Sequence, residues 1–390
     1  MPWETTSVVE AKIRLVLAYL AHQVTMTKLC FVHGVSRKSG YKWVKEYLKK
    51  GLAGLGDRSR APKSGKHWTR QATRELIVQM RLAHPRWGAP KIVARLKQLH
   101  PRRRWPSPTT AHDILRRAGL ITTRRRRDRW RENGGRCVEV TRPNALWTID
   151  FKGQFRTRDG IYCYPLTVVD AHSRYLLACV ALGSPNFEAT WAVFEKLFIQ
   201  YGLPNAIHSD NGEPFASQSV GGLSRLAVRF IRLGIRVERS RPAHPQDNAS
   251  HERMHRTLKD HATNPPAANL AEQQILLDAF RDEYNNVRPH EALGQKQPCR
   301  LYRPSRRPYP TQPPEIEYPR SFVVRRVHNR GYIKWQGRSL FLSEVLIGER
   351  VALVNENDSW LIYFSSVLLG RVDEGRWKIA PTKLMKQTNA

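Results

Sequence analysis

Three acidic residues stand in places where ordinary folding does not call for them. Asp150 lies inside the apolar run LWTIDFKG, where a carboxylate without a partner is costly. Asp210 ends another apolar run in HSDNG, where the chain reverses. Glu252 falls in HPQDNASHERMHRTLK, at the start of a helical stretch that follows a Pro-containing loop. Each has a plain structural reading: an Asp before Asn-Gly suits a turn, a Glu in a first helical turn suits the helix dipole, and a mid-strand Asp suits a sheet edge. Together, at the ends of separate elements, they suit hard divalent cations, which prefer carboxylate oxygen. Two such ions about 3.5–4 Å apart stabilise the attacking and leaving oxygens of an in-line phosphoryl transfer without a protein nucleophile. The expected ions are Mg²⁺ or Mn²⁺, two per site. Asp159 and Asp170 are the rival carboxylates. His251, next to Glu252 on a helix, should point about 100° away from it. His208, two residues before Asp210, shares its strand face and suits hydrogen bonding or packing.

These residues need a scaffold that brings them together. From about 143 the sequence alternates strand and helix patterns, an α/β signature. ALWTIDFKGQF reads as a strand, and YCYPLTVVDAHSRY as a second that turns at DAHS into YLLACVAL. FEATWAVFEKLFIQYG is an amphipathic helix, NAIHSD a strand, SRLAVRFIRLG a helix, IRVERS a strand, and ASHERMHRTLKDHA and LAEQQILLDAFRDEYN helices. Three meandering strands followed by alternating helices and strands is the order of a ribonuclease H-like core, assigned to 143–301. A Pro/Arg-rich linker, 302–320, leads to close-spaced short strands at 321–380, read as a small β-barrel. Its Arg325, Arg326, Arg330, Lys334 and Arg338 suit a backbone-binding surface or a structural cap.

The first third of the chain differs. Of 66 Lys and Arg and 33 Asp and Glu, residues 1–142 carry 33 and 9, so most of the +33 formal charge lies there. An excess of that size points to a polyanion, with nucleic acid ahead of a membrane surface. No apolar run approaches a membrane span, and the opening MPWETTSVVEAK is too acidic for a signal peptide. Five scattered cysteines without a Cys-x-x-Cys pair fit a reducing cytoplasm. His22, Cys30 and His33 lack the further ligand a zinc site needs. Residues 1–50 read as three helices: Val8–Leu20 with Val9, Ile13, Val16, Leu17 and Leu20 inward, a short helix at 25–33, the Gly34 turn, and a basic helix capped by Ser36. That is a helix-turn-helix pattern, with Arg37, Lys38, Lys42 and Lys45 as DNA contacts. A linker, 51–68, precedes a second helix-turn-helix-like unit at 69–121. A basic linker, 122–142, follows, whose Arg124, Arg125, Arg126 and Arg127 suit phosphates.

The stretch 143–300 resembles the integrase catalytic core of bacterial insertion-sequence transposases, which are related to retroviral integrases. LWTIDFKG, LTVVDAHSRY, HSDNGEPF, HPQDNASHERMHRTLK and YNNVRPHEALG carry the resemblance. It implies that Asp150, Asp210 and Glu252 are the three metal-binding carboxylates of a DDE-type transposase. It implies that Lys259, two helical turns past Glu252, faces DNA, and that the basic helical units bind terminal inverted repeats. The implied partners are double-stranded DNA, both element ends and target, and further copies of the chain assembled on it. The sequence departs from the family where Ala249 and Ser250 replace a glycine and a lysine, and where Glu213 and Pro214 stand in reversed order. Two other readings use the same residues: a catalytically decayed copy acting as a sequence-specific DNA-binding protein, and a structure-specific nuclease that cuts without joining.

Overall fold

The computed structural model describes residues 7–57, 69–121, 140–217, 219–240, 249–356 and 359–380. They divide into two compact units, Met1–Arg70 and Gln71–Ala390.

In the first unit, α1 (Val8–Leu20), α2 (Met26–Val32) and α3 (Arg37–Lys50) pack around Leu15, Val16, Met26, Leu29, Cys30 and Val44, and a 3₁₀ turn adds Leu55. Ser7 and Glu10 form a reciprocal capping box on α1, and Ser36 caps α3 through the Ser39 amide. Gly40 lets α2 and α3 meet: a Cβ there would fall 2.6 Å from Met26 Sδ and 2.8 Å from Cys30 Sγ. The buried face of α1 is rotated from the expected one. Leu15 and Val16 are fully buried, whereas Leu17 is 47 % exposed and Val9 is exposed too. The inward position next to Leu15 is filled by Lys12, whose Nζ bonds Asp57 Oδ1 at 2.7 Å.

The second unit opens with α4 (Gln71–Ala83), α5 (Ala89–Leu99) and α6 (Pro108–Arg117), which close on Ile77, Ile92, Leu96 and Leu115. Trp87, from the PRWG turn, is fully buried there and stacks on His84 at 3.9 Å. Next come β1 (Trp147–Phe151), β2 (Phe155–Arg156), β3 (Tyr162–Asp170), β4 (Leu176–Leu182), α7 (Phe187–Tyr201), β5 (Ala206–Ser209), α8 (Arg225–Arg232), β6 (Arg236–Arg239), α9 (Ala249–Ala262) and α10 (Leu270–Asp282), which ends in a π turn, Glu283–Val287. The expected first strand breaks at Gly153, whose φ of +87° ends β1 before β2 begins.

The sheet runs β4-β3-β1-β5-β6, with β2 pairing the start of β3. β1 is antiparallel to β3 and parallel to β5, and β5 is parallel to β6. This is the mixed sheet the strand–helix order called for. Trp147, Ile149, Leu166 and Val168 bury one face under α7 and α8, while Val169, Leu176 and Cys179 bury the other under α9 and α10.

Part of the Pro/Arg-rich stretch is docked on this core. Tyr302 stacks on Tyr175 at 4.5 Å, and the Arg307 guanidinium donates to the carbonyls of Pro204, Leu233 and Gly234. Beyond it lie β7 (Val323–Arg326), β8 (Tyr332–Trp335), β9 (Arg338–Phe341), β10 (Arg350–Glu356), β11 (Ser359–Phe364), β12 (Val367–Asp373) and β13 (Lys378–Ala380). They do not close into the expected barrel among the described residues. Five make an open antiparallel sheet, β13-β12-β11-β10-β7, and β8 and β9 pair only with each other. Side chains bridge the gap instead, such as Trp377 Nε1 donating to Ser339 O at 3.0 Å. The strands share their core with Leu223, Ala227, Val228 and Ile231, so α8 has apolar partners on both sides.

Candidate active site

Alternation along β1 sorts its side chains. Trp147, Ile149 and Phe151 face the α7–α8 core, which sends Thr148 and Asp150 toward α9. Parallel pairing sets Thr148 opposite His208 on β5, so two residues further along both chains Asp150 and Asp210 come level. Asp210 sits just past the strand end, exposed, where its Oδ1 accepts the Gly212 amide at 3.1 Å. Asn211 fixes that turn by donating to Ser240 O at 2.9 Å.

Helix α9 brings the third carboxylate. His251, Met254, His255 and Leu258 turn inward onto the sheet, while Glu252, Arg256 and Lys259 lie exposed on another face. Burial, together with the Asp210 and Glu252 carboxylates, pushes the half-buried Asp150 carboxyl up to about 7. Both carboxylates are therefore within electrostatic reach of Asp150. Lys152 and Lys259 complete the setting: burial and the neighbouring Lys259 charge hold Lys152 below its ordinary value, against the pull of Asp150.

Beneath Asp150 runs a buried polar network that sequence reasoning missed. Thr167, paired with Asp150 across the β1–β3 ladder, donates its hydroxyl to Asp150 O at 2.9 Å. The same oxygen lies 2.6 Å from His251 Nε2 and 2.7 Å from His255 Nε2. His251 Nδ1 meets Thr148 Oγ1 at 3.1 Å, and His255 Nδ1 stands 3.7 Å from Asp150 Oδ2. The signal was present in two histidines four apart on one helix, a spacing that puts both on one face. Burial drives both rings far below their ordinary value, His255 to about 3. His208 is buried and hydrogen-bonded to Ser240 Oγ at 3.0 Å.

The rival carboxylates serve the fold. Asp170 has no exposed surface and accepts from Asn144 N, Ser173 N and Ser173 Oγ, at the end of β3 three residues beyond Thr167. Asp159 organises the β2–β3 turn through Thr157 and Ile161. Of the expected DNA contacts, Arg37, Lys38, Lys42 and Lys45 are all exposed on α3, as is Lys259 on α9. Arg124, Arg125, Arg126 and Arg127 lie outside the described residues, as do the loop 241–248 and the side chains of Ala249 and Ser250.

The donor set suits a hard divalent cation: three carboxylates from three elements, one of them pushed up to about 7 by burial and further by the other two. Among the described residues no three His, Cys, Asp or Glu side chains are already gathered at the spacing of a finished metal site. Asp210 and Glu252 are exposed side chains at the same end of the sheet as Asp150.

Comparison with known proteins places this arrangement. Residues 140–245 and 233–298 each match an integrase core domain family. Residues 11–63 match a helix-turn-helix domain, and 39–115 a homeodomain-like domain. The uncharacterized 39.2 kDa protein of insertion element IS476 from Xanthomonas euvesicatoria is 24% identical over 59% of this chain and 64% of its own length. Residues 140–298 thus carry an integrase core domain, and with the helix-turn-helix matches and the insertion-element relative they support an insertion-sequence transposase with a retroviral integrase-type core. That core makes it a member of the polynucleotidyl transferase superfamily. The Gag-Pol polyprotein of baboon endogenous virus (strain M7) is 33% identical over 33% of the chain, a match that spans only 7% of that polyprotein. The HTLV-2 integrase catalytic core domain, solved in complex with magnesium, is 15% identical, covering 42% of this chain and all of that one at a TM-score of 0.31. Among the described residues no helix is long and apolar enough to cross a membrane.

Proposed function

We propose that this chain is a DDE-type DNA transposase that binds the ends of its element and carries out metal-dependent strand cleavage and strand transfer. The observation that carries the reading is that Asp150 on β1, Asp210 after β5 and Glu252 on α9 lie within electrostatic reach of one another, Asp210 and Glu252 adding to the upward push that burial gives Asp150. On this reading a strand, the loop after a parallel strand and a helix would contribute one carboxylate each to a shared negative centre beside two lysines. Asp150, Asp210 and Glu252 would hold Mg²⁺ or Mn²⁺, two ions per site. The ions supply activation of the attacking oxygen and charge relief at the leaving oxygen. The protein's own work is to fix these three oxygens, to keep the histidines beneath Asp150 neutral, and to offer Lys152 and Lys259 to the DNA backbone. Arg37, Lys38, Lys42 and Lys45 on α3, with the arginines at 124–127, would grip terminal repeats. The active species would be a multimer on double-stranded DNA, at work in the cytoplasm.

A strand-transfer assay with matched transposon-end DNA in Mg²⁺ tests this. Asp150→Asn, Asp210→Asn and Glu252→Gln should each lower cleavage by at least about 100-fold, since each removes preorganised transition-state stabilisation, while end binding stays intact. Cleavage retained in any one of them removes that residue from the centre. A wild-type chain that binds ends and never cuts is the decayed copy foreshadowed by Ala249 and Ser250, and one that cuts without joining is the nuclease.

A further inference from the structure

The network under Asp150 constrains the tautomer of His255. Thr167 Oγ1 touches three groups, the Asp150 carbonyl at 2.9 Å and the Nε2 atoms of His251 and His255 at 2.6 and 2.7 Å. A hydroxyl has one proton and two lone pairs, and a carbonyl can only accept. The hydroxyl proton therefore goes to the Asp150 carbonyl, and both imidazoles must donate Nε2–H to Thr167. Each neutral ring is left with a bare lone pair at Nδ1. That of His251 lies 3.1 Å from the Thr148 hydroxyl, whose single proton also reaches Val169 O at 3.3 Å. That of His255 faces Asp150 Oδ2 across 3.7 Å.

Two acceptors face each other there. A proton shared between them would draw the pair to about 2.8 Å. A gap of 3.7 Å is too long for that, yet shorter than two metal–ligand bonds of about 2.1 Å laid end to end. A ligating histidine normally has its other nitrogen donating to an anchored acceptor, which sets the ring's orientation. Thr167, tied to the backbone of Asp150 itself, is that acceptor. We propose that His255 is a further metal ligand of this centre, binding through Nδ1 the same divalent cation as Asp150. The inference rests on the reading of the acidic trio as a metal site. It gives the centre a nitrogen donor, which favours Mn²⁺ over Mg²⁺.

The test is pulsed EPR on the full chain loaded with Mn²⁺, alongside Mn²⁺ and Mg²⁺ titrations. The expected spectrum shows hyperfine coupling to a directly bound ¹⁴N, which becomes a ¹⁵N coupling in protein grown on ¹⁵N-histidine. His255→Gln, whose amide can still donate to Thr167, should abolish the coupling and weaken Mn²⁺ binding by about 10-fold or more, with a smaller loss for Mg²⁺. His208→Gln should leave the coupling unchanged. Mn²⁺ that binds in an Asp150-dependent way without nitrogen coupling overturns the role of His255 and leaves the trio standing. Coupling that survives His255→Gln also overturns it. Absence of Asp150-dependent Mn²⁺ binding overturns both readings. If His255→Gln fails to fold, the wild-type ¹⁴N and ¹⁵N spectra together with His208→Gln still decide.

Discussion

Asp150 and Asp170 are both raised by burial, but only Asp150 also bears the charge of other carboxylates. Asp170 is more deeply buried but accepts three hydrogen bonds from Asn144 and Ser173. Asp150 is pushed up to about 7, by burial first and then by the Asp210 and Glu252 carboxylates. A carboxyl raised in the folded state adds stability at low pH that is lost as the pH climbs toward that value, so the cost is fully present above about 7. Asp150→Asn should therefore stabilise the metal-free protein at pH 8, by a few kcal/mol at most, seen as a higher urea midpoint. The gain should shrink toward pH 5 and in saturating Mn²⁺. A variant no more stable than wild type at pH 8 would mean that the three carboxylates do not crowd one another. Much of this was legible in the sequence: a carboxylate inside an apolar strand is conspicuous, and so is one at a strand end. The polar groups beneath it were not, because Thr148, Thr167, His251 and His255 look ordinary until pairing and helix docking bring them within bonding distance.

At the scale of the element, α9 is seated on the sheet by two buried neutral rings, and His290 lies close to the π turn that extends α10, bonding Tyr284 O at 3.0 Å. Burial lowers all three, His255 to about 3 and His290 to about 4. Between those values and 6.5 the unfolded chain takes up protons that the folded chain refuses, so stability falls as the pH drops. The slope is about 1.4 kcal/mol per pH unit for each ring. Denaturation midpoints should decline steadily from pH 7 to 5, and more steeply in Asp150→Asn, where the opposing carboxyl is gone. A flat profile would place protonated rings under α9. Helix and strand identities followed well from periodicity, as at α3, where Ser36 and Gly34 mark the start. The inward face of α1 did not, because Lys12 occupies a core position by pairing with Asp57, a contact 45 residues away. Closure of the C-terminal strands was equally illegible: alternation identifies strands, but which edges pair depends on distant residues.

The whole molecule divides its charge unevenly between its two compact units. Residues 1–70 hold fourteen Lys and Arg against four Asp and Glu. They also form a complete core of their own. A fragment of 1–70 should fold alone and bind DNA, with affinity falling steeply as salt rises from counterion release. Preference for its own element's ends over random duplex, measured at moderate salt, checks that α3 reads bases as well as phosphates. Equal affinity for both would leave α3 a backbone contact only. The helices α4–α6 lie in the other unit, where Arg86 pairs with Asp260 on α9 and His84 Nδ1 lies 3.3 Å from Glu283 Oε1. They therefore touch the helix that carries Glu252 and Lys259.

Helix α8 has a place in two cores at once, one beneath the mixed sheet and one beneath the C-terminal strands. That bears on how such a gene can be reshuffled. A recombination junction at the Pro/Arg-rich stretch looks natural on paper, because composition changes there. Yet strands inherited from one parent would have to seat on Leu223, Ala227, Val228 and Ile231 inherited from another, and the Arg307 peg would have to find its three carbonyls in a foreign loop. The heritable module is the strands with α8 and the peg, so lineages of this chain should exchange their N-terminal unit far more readily than their C-terminal sheet.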